Sequence, residues 1–189
     1  EVIDALGVPV DADMAACLYT GIATDTGCFK YSNTTPKTHL MAARLMECGA
    51  PADAINREMF DMKSRARLEI ERQALAGIRF AFGDRCAVMT ITRKMISDAG
   101  AAEGDLEGLA PLPRQIEGVW VGVTMREKED GRYKVSLRTG THVDASKICA
   151  RLGGGGHVCA AGCTVSGSAQ EAVDTVLSAI AAELPEITA

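Results

Sequence analysis

Four consecutive glycines (Gly153, Gly154, Gly155 and Gly156), followed directly by His157, constrain the fold of this chain more than any other feature. Ordering glycine costs much backbone entropy, so a folded domain keeps such a run where the backbone approaches a neighbour closely or needs a positive φ. The N–H groups of a glycine loop can hold phosphate, and a histidine beside them adds a donor that can carry charge. The alternative is a flexible linker, although linkers are usually longer.

The composition is that of an ordinary globular protein. The 189 residues, 47% hydrophobic and 24% charged, suffice for one large or two small domains. The net charge of −5 argues against a large non-specific nucleic-acid surface, but it allows a small basic pocket. We expect no membrane association, because the apolar stretch at residues 14–23 is too short to span a bilayer and residues 152–170 contain many glycines.

The cysteines favour free thiols in a reducing cytoplasm. There are seven of them, an odd number, and no CxxC pair occurs. His157, Cys159 and Cys163 are close in sequence, but their spacing matches no common zinc pattern.

The first part of the chain predicts helices. In residues 1–62, Asp11 can cap a helix that runs through Leu18 and Ile22, and Pro51 can open another. Between them, residues 38–46 carry apolar side chains at helical spacing. Residues 63–82 are rich in charge and lack proline, so we predict a connecting helix with a solvated face.

From residue 83 onward, the pattern changes to strands alternating with helices. We predict strands at residues 86–92, 119–125, 133–138 and 163–165. Asp130 and Gly131 indicate a hairpin. Asp144 can cap a helix, and Ser168 with Glu171 forms a capping box for another. The chain is therefore predicted to be an α/β protein, with a helical part followed by a mixed-sheet domain at residues 83–189.

A single carboxylate, Asp25, follows Leu18 by seven residues and Ile22 by three. If the first long helix continues that far, Asp25 lies on its apolar face, near the negative end of the helix dipole. A divalent cation would offset both the lost hydration and the unfavourable dipole. The alternative is an aspartate that leaves the helix and caps the turn with Thr26 and Gly27.

The hairpin region offers candidate phosphate ligands. Ser136 and Arg138 share one face of a predicted strand, and a guanidinium presents a planar donor fork that suits phosphate. Residues 126–151 contain seven Lys or Arg and four Asp or Glu, so the region before the glycine run is locally basic. Arg114 is a weaker candidate for the same pocket. The alternative is an ordinary exposed hairpin.

These segments resemble the DHH phosphoesterase superfamily over nearly the whole chain. LYTGIATDTGCF at residues 18–29 and YSNTT at residues 31–35 are similar to the last metal-binding segment of the catalytic DHH domain. Ser136-Leu-Arg138, the glycine run with His157, and residues 160–162 are similar to the DHH-associated substrate-binding domain. The subgroup most resembled is the NrnA-like oligoribonucleases, which also act on 3′-phosphoadenosine 5′-phosphate and are often labelled exopolyphosphatase-related.

The resemblance implies a two-manganese centre held by Asp and His residues from four motifs, with hydrolysis by a two-metal mechanism. Asp25 matches the fourth motif, which makes it the candidate catalytic and metal-binding residue. The other three motifs are absent here, since the only histidines are His39, His142 and His157. The chain is therefore expected to be the C-terminal portion of the enzyme, inactive alone, with residues 1–62 as a remnant of the catalytic domain. Its start at Glu1 fits an excised or processed fragment.

The resemblance also gives the second part a substrate-binding role. Arg138 would neutralise a substrate phosphate, the glycine run would let a nucleotide lie close to the backbone, and His157 would donate to a phosphate or base. The implied function is manganese-dependent hydrolysis of short oligoribonucleotides and 3′-phosphoadenosine 5′-phosphate. Two alternatives are open: a cyclic-dinucleotide phosphodiesterase, and a non-catalytic nucleic-acid-binding module. The metal-site motif argues against the second of these.

Overall fold

The computed structural model describes residues 2–184, apart from the side chain of residue 4. The chain divides into two compact units, Glu1–Met62 and Lys63–Ala189. Within the described residues, no helix has both the length and the apolar character needed to cross a membrane.

The first unit is helical. It contains α1 (Val2–Ala5), α2 (Ala12–Asp25), α3 (Pro36–Glu47) and α4 (Ala52–Asn56), the last followed by a π-helical turn, Arg57–Asp61. As predicted, Asp11 caps α2, because its carboxylate accepts a hydrogen bond of 2.8 Å from the Met14 N–H. The helix buries Ala15, Tyr19 and Ala23, while Leu18 remains 39% exposed and Ile22 packs partly buried against this core.

The second unit is built on a six-stranded sheet in the order β1-β2-β3-β4-β6-β5. Its strands are β1 (Arg79–Ala81), β2 (Cys86–Ile91), β3 (Val121–Glu127), β4 (Tyr133–Thr139), β5 (Gly155–His157) and β6 (Ala160–Val165). Strands β2 and β3 run parallel, and the other neighbours run antiparallel. The predicted α/β class with a mixed sheet is therefore confirmed.

The helices of this unit are α5 (Arg65–Ala76), α6 (Arg93–Ala99), α7 (Ala145–Arg151) and α8 (Ala169–Ala181). Two 3₁₀ turns, Glu103–Leu106 and Leu112–Gln115, lie between α6 and β3. The predicted hairpin, the cap at Asp144 and the capping box at Ser168 are all present. Each of these features is formed by residues close together in sequence, so it can be predicted without knowledge of the fold.

The predicted connecting helix at residues 63–82 is too long. It ends at Gly77, and Arg79–Ala81 pairs with β2 instead. Its predicted solvated face is also incomplete, because Ile70 and Ala74 are fully buried. The last predicted strand is longer than expected and begins at Ala160, because pairing with β4 continues through three small residues, Ala160 to Gly162.

Helices α7 and α8 cover one face of the sheet. The core there contains Val123, Val135, Leu137, Ile148 and Val176. The opposite face is covered only in part. A second core, including Met89, Ile91 and Ile70, covers β2, and the second 3₁₀ turn packs on β3. The rest of that face belongs to β4, β6 and β5, and we call it the open face.

Candidate functional site

The open face follows from the alternation of side chains along β4. Val135 and Leu137 point into the core, whereas Lys134, Ser136 and Arg138 point the other way and are exposed or half-buried. Two of the predicted phosphate ligands, Ser136 and Arg138, therefore do share one accessible face.

The strand register brings the glycine run beside these residues. Arg138 pairs with Ala160, and Ala160 pairs on its other side with His157. In the next row, Ser136 pairs with Gly162, which pairs in turn with Gly155. Because directly paired residues point to the same face, Arg138 and His157 flank a strip of glycine and alanine that carries almost no side-chain bulk.

Arg114 reaches the same face from the second 3₁₀ turn. An ideal Cβ on Gly122 would lie 2.5 Å from the Arg114 backbone nitrogen, and one on Gly140 would lie 2.8 Å from its Nη2. Both glycines therefore leave the space that Arg114 occupies. Gly122 pairs with Arg138 on β3 and β4, so two arginines 24 residues apart in sequence lie at neighbouring positions of the same face.

These two guanidinium groups have no carboxylate partner within residues 2–184. Arg138 donates from Nη1 to the carbonyl oxygen of Leu137 at 3.0 Å. The Nε of Arg114 is buried and has no hydrogen-bond partner among the described atoms. A buried polar donor is usually satisfied in native proteins, and two unpaired cations on one face form a site suited to an anion.

The four glycines have different structural roles. Gly153 takes φ = 73° just after α7, in the left-handed region that glycine favours. An ideal Cβ on Gly154 would lie 2.5 Å from the Cβ of Cys163, and one on Gly156 would lie 2.6 Å from the Cα of Ala161. An ideal Cβ on Gly153 or Gly155 would meet nothing within 4 Å, and of these two only Gly155 lacks a positive φ.

The run is therefore not a linker. Its second half forms β5, an ordered edge strand paired with β6. It is also not a simple phosphate-binding loop. Gly153 ends α7 with a positive φ, and Gly154 and Gly156 allow close packing against β6. Gly155 and His157 are the members that face the open side.

The turn after His157 is fixed by backbone contacts. Thr139 donates from its amide to the Cys159 carbonyl at 3.1 Å and from its hydroxyl to the Val158 carbonyl at 3.1 Å. The Ala145 amide donates to the same Val158 carbonyl at 2.7 Å. His157 is exposed, but the backbone that carries it is held by β4 and by the start of α7.

Asp144 holds the start of α7. Its carboxylate accepts from the Ser146 amide at 2.9 Å, from the Ser146 hydroxyl and from the Lys147 amide at 3.3 Å. The hydrogen bond from the Ser146 hydroxyl is the main reason that the pKa of Asp144 lies below its ordinary value of 3.8. The cap thus depends on the ionised form.

The loop after β4 is held by stacked rings. The His142 ring lies 4.8 Å from the Trp120 ring, and the Arg85 guanidinium lies 4.5 Å from the centre of the indole. The Gly140 amide donates to the Trp120 carbonyl at 3.3 Å. These contacts fix the glycine against which the Arg114 guanidinium rests.

Asp25, the metal-ligand candidate, is the last residue of α2 in the first unit. The alternative in which it leaves the helix to cap a turn is wrong. Instead Thr26 ends the helix, and its hydroxyl donates to the Ile22 carbonyl at 2.7 Å. The Asp25 carboxylate is exposed and accepts a hydrogen bond of 3.0 Å from the Asn33 side chain.

Asp25 lies at the edge of a cavity of about 540 Å³ that Leu18 and Ile22 also line. This agrees with the predicted shared face, although that face lines a cavity rather than the core. Among residues 2–184, no three His, Cys, Asp or Glu side chains come together as a metal site would require. Asp25 is thus an isolated ligand candidate in the part of the chain that the structure describes.

Sequence reasoning missed several residues of the open face. Lys134 and Thr164 form a pair in register at the end of the face opposite to Arg138. The alternation around Ser136 could have indicated Lys134. No local signal marks Gly122 or Gly140, because their role depends on Arg114 packing against them.

Comparison with known proteins gives consistent matches. The DHHA1 domain family matches residues 83–186. A bifunctional oligoribonuclease and PAP phosphatase NrnA from Thermus thermophilus is 40% identical over 97% of this chain and 55% of its own length. A probable protein of the same name from Streptococcus mutans is 29% identical over 80% of this chain and 48% of its own length.

Among solved structures, an exopolyphosphatase-related protein from Bacteroides fragilis superposes with a TM-score of 0.86 at 26% identity. The match covers 95% of this chain and 53% of that protein. The chain therefore spans about half the length of the curated relatives that it matches.

Proposed function

Because this chain belongs to the DHHA1 domain family, we propose that it provides the nucleotide-binding part of a phosphoesterase acting on short oligoribonucleotides and 3′-phosphoadenosine 5′-phosphate. The membership confirms the resemblance predicted from Ser136, Arg138 and the glycine run. The names of the Thermus and Streptococcus relatives support this choice of substrates.

The observation that carries the proposal is the pair of unpaired guanidinium groups on the open face. Arg114 and Arg138 can donate to the non-bridging oxygens of one phosphate, which are the acceptors that a planar donor fork matches. His157 supplies a further donor across the strip of small residues. The small residues at Ala160 and Gly162 leave room for a sugar or base against the sheet.

Each residue then has a distinct part in binding. The two arginines hold the phosphate and offset its negative charge. This lowers the electrostatic repulsion between that phosphate and any other anionic group that approaches it. His157 orients the nucleotide from the far side of the strip, and its fixed backbone limits the conformational entropy lost on binding. The seven free cysteines suit a reducing compartment, so the proposal includes a cytoplasmic location.

The manganese centre implied by the resemblance does not fit the described residues alone. Asp25 is the candidate ligand, and within residues 2–184 no group of three His, Cys, Asp or Glu side chains comes together around a possible metal position. The described residues therefore cannot by themselves hold the metal ions that a two-metal step requires. Asp25 would be one ligand of a centre whose other ligands belong to a longer protein.

Ligand titration of the 189-residue chain tests the binding role. We expect it to bind 3′-phosphoadenosine 5′-phosphate and short RNA, and we expect the double variant Arg114→Ala/Arg138→Ala to lose both. Lys147→Ala is the matched control, because Lys147 lies on α7, which packs against the opposite face.

Two results would contradict the proposal. Unchanged affinity in the double variant would remove the open face as the binding site. Clear preference for a cyclic dinucleotide over both linear ligands would favour the cyclic-dinucleotide phosphodiesterase instead.

A further inference from the structure

We propose that the open face carries a second phosphate subsite, formed by Lys134 with Lys128, which binds the backbone of an oligonucleotide beyond the nucleotide held at Arg138. This inference rests on the proposed function and deepens it. It gives the open face a preference for substrate length that nothing at the Arg138 end would supply.

A cavity of about 420 Å³ lies at this end of the face. Its lining includes Lys128, Lys134, Ser136, Gly162 and Thr164. The ammonium groups and the Ser136 and Thr164 hydroxyls are donors for phosphate oxygens, and Gly162 adds no side chain. The cavity also contacts the first half of the glycine run, which joins it to the strip that leads towards Arg138.

Lys134 is exposed and forms no ion pair among the described residues. Lys128 lies 3.6 Å from Asp130, but that carboxylate is hydrogen-bonded to Arg132 at 2.7 and 2.9 Å. These bonds from Arg132 are the main reason that the pKa of Asp130 falls to about 2. The negative charge nearest to Lys128 is thus already shared with another cation.

The remaining carboxylates near the hairpin are also occupied. Glu103 forms an ion pair with Arg126, which pairs in register with Lys134. Glu127 accepts from the Arg93 amide at 2.9 Å, and Glu129 lies 3.9 Å from the Arg93 side chain. Lys134 is within electrostatic range of Glu103, but that carboxylate is ion-paired with Arg126, and Lys134 itself forms no ion pair among the described residues.

The two cationic ends of the face are separated along one strand. Lys134 and Arg138 are four residues apart on β4, which places their Cα atoms about 13 Å apart on the same side. That separation exceeds the distance between the phosphates that flank one nucleoside. Side chains on a strand stand roughly perpendicular to the sheet, so the two ends suit an oligonucleotide lying along β4 better than a single nucleotide.

Ser136 lies between the two ends, with Gly162 and Gly155 on one side and the buried Thr124 of β3 on the other. The path from Arg138 to Lys134 is thus free of bulky side chains, and a sugar-phosphate backbone can follow it. Each phosphate contact on a single strand adds about 0.7 to the slope of log affinity against log salt concentration. The second subsite is therefore detectable through both length and salt.

The test compares 3′-phosphoadenosine 5′-phosphate with a five-nucleotide RNA, titrated into the whole chain at several salt concentrations. Lys134→Ala should weaken RNA binding about three- to tenfold and reduce the salt slope by about 0.7, while the affinity for the mononucleotide changes less than twofold. Thr164→Glu, which places a carboxylate beside Lys134, should have the same selective effect. Lys147→Ala serves as the control for a lost lysine charge on the opposite side.

The outcomes separate this inference from the proposed function. If Lys134→Ala leaves RNA binding unchanged while Arg138→Ala weakens both ligands, the second subsite is refuted and the proposed function stands. Equal loss for both ligands in Lys134→Ala also refutes the subsite, since it shows only a general charge effect. If the unaltered chain binds neither ligand, both proposals fail.

Discussion

Arg138 and His157 lie on the same face of the sheet with Ala160 directly between them, so their Cα atoms are about 10 Å apart. One residue belongs to the central hairpin and the other to an edge strand that the glycine run begins. Their separation suits two groups that contact one nucleotide from opposite sides. The first predictions follow from this pair.

His157→Ala should weaken the binding of 3′-phosphoadenosine 5′-phosphate by about 0.5–1.5 kcal/mol, the usual range for one lost hydrogen bond. His157→Gln should retain part of that energy, because the amide keeps a donor. Calorimetry on both variants tests this, with His39→Ala in the first unit as the histidine control. Equal loss in the alanine and glutamine variants would argue against a role for the donor.

Arg138→Ala should weaken nucleotide binding by about 1.5–3 kcal/mol, the range for a hydrogen bond to a charged group. Arg138→Lys should recover only part, since a point charge cannot reproduce a planar fork. The salt dependence of binding should fall in the alanine variant and persist in the lysine variant. An unchanged dissociation constant in Arg138→Ala would refute the role assigned to this strand face.

Gly154→Ala and Gly155→Ala should separate stability from binding. A Cβ at Gly154 would meet Cys163 at 2.5 Å, so we expect a loss of about 1–3 kcal/mol in the free energy of unfolding. Gly155 has open space and no positive φ, so its alanine variant should keep its stability and bind nucleotide more weakly. Denaturant unfolding and ligand titration of both variants measure the two effects. Equal stabilities would contradict the packing assigned to Gly154.

The Asp144 cap should make stability sensitive to acid. The folded-state pKa of Asp144 is lowered, so its contribution is fully present above the ordinary carboxyl pKa and is lost as pH falls through the folded value. Asp144→Asn keeps an acceptor for the cap but does not titrate. Its free energy of unfolding should therefore decline less between pH 5 and pH 3 than that of the unaltered chain.

Ser146→Ala is the matched variant for this effect. It removes the hydroxyl that contributes most to the lowered pKa but keeps the amide that Asp144 caps. Its acid dependence should lie between those of the other two proteins. If the free energy of unfolding of all three proteins depended on pH in the same way, Asp144 would not contribute to the loss of stability in acid.

Asp25→Asn in a whole protein that contains this chain should abolish manganese-dependent turnover and lower the metal stoichiometry, while leaving the melting temperature nearly unchanged. The side chain is exposed and bonded to Asn33, so little folding energy depends on its charge. Metal analysis and activity assays check both parts. Wild-type turnover with full metal content would exclude Asp25 as a ligand. The 189-residue chain alone should show no turnover.

Local chemistry in the sequence was enough to predict much of the fold. Asp11, Asp144 and Ser168 cap helices as predicted, because a cap is made between residues two or three positions apart. Alternation along residues 133–138 also predicted which side of β4 would be accessible. The family resemblance came from motifs of the same short range.

Only the tertiary structure decided the composition of the open face and the role of each glycine. Arg114 joins Arg138 because Gly122 and Gly140 leave space for it, and Gly154 is fixed by its contact with β6. Strand order and register are contacts between distant segments, so the spacing within any one segment does not determine them. The sequence by itself therefore determined caps, turns and the alternating pattern of β4. Pairing between strands decided that His157 shares the surface that Lys134 and Arg138 form on β4.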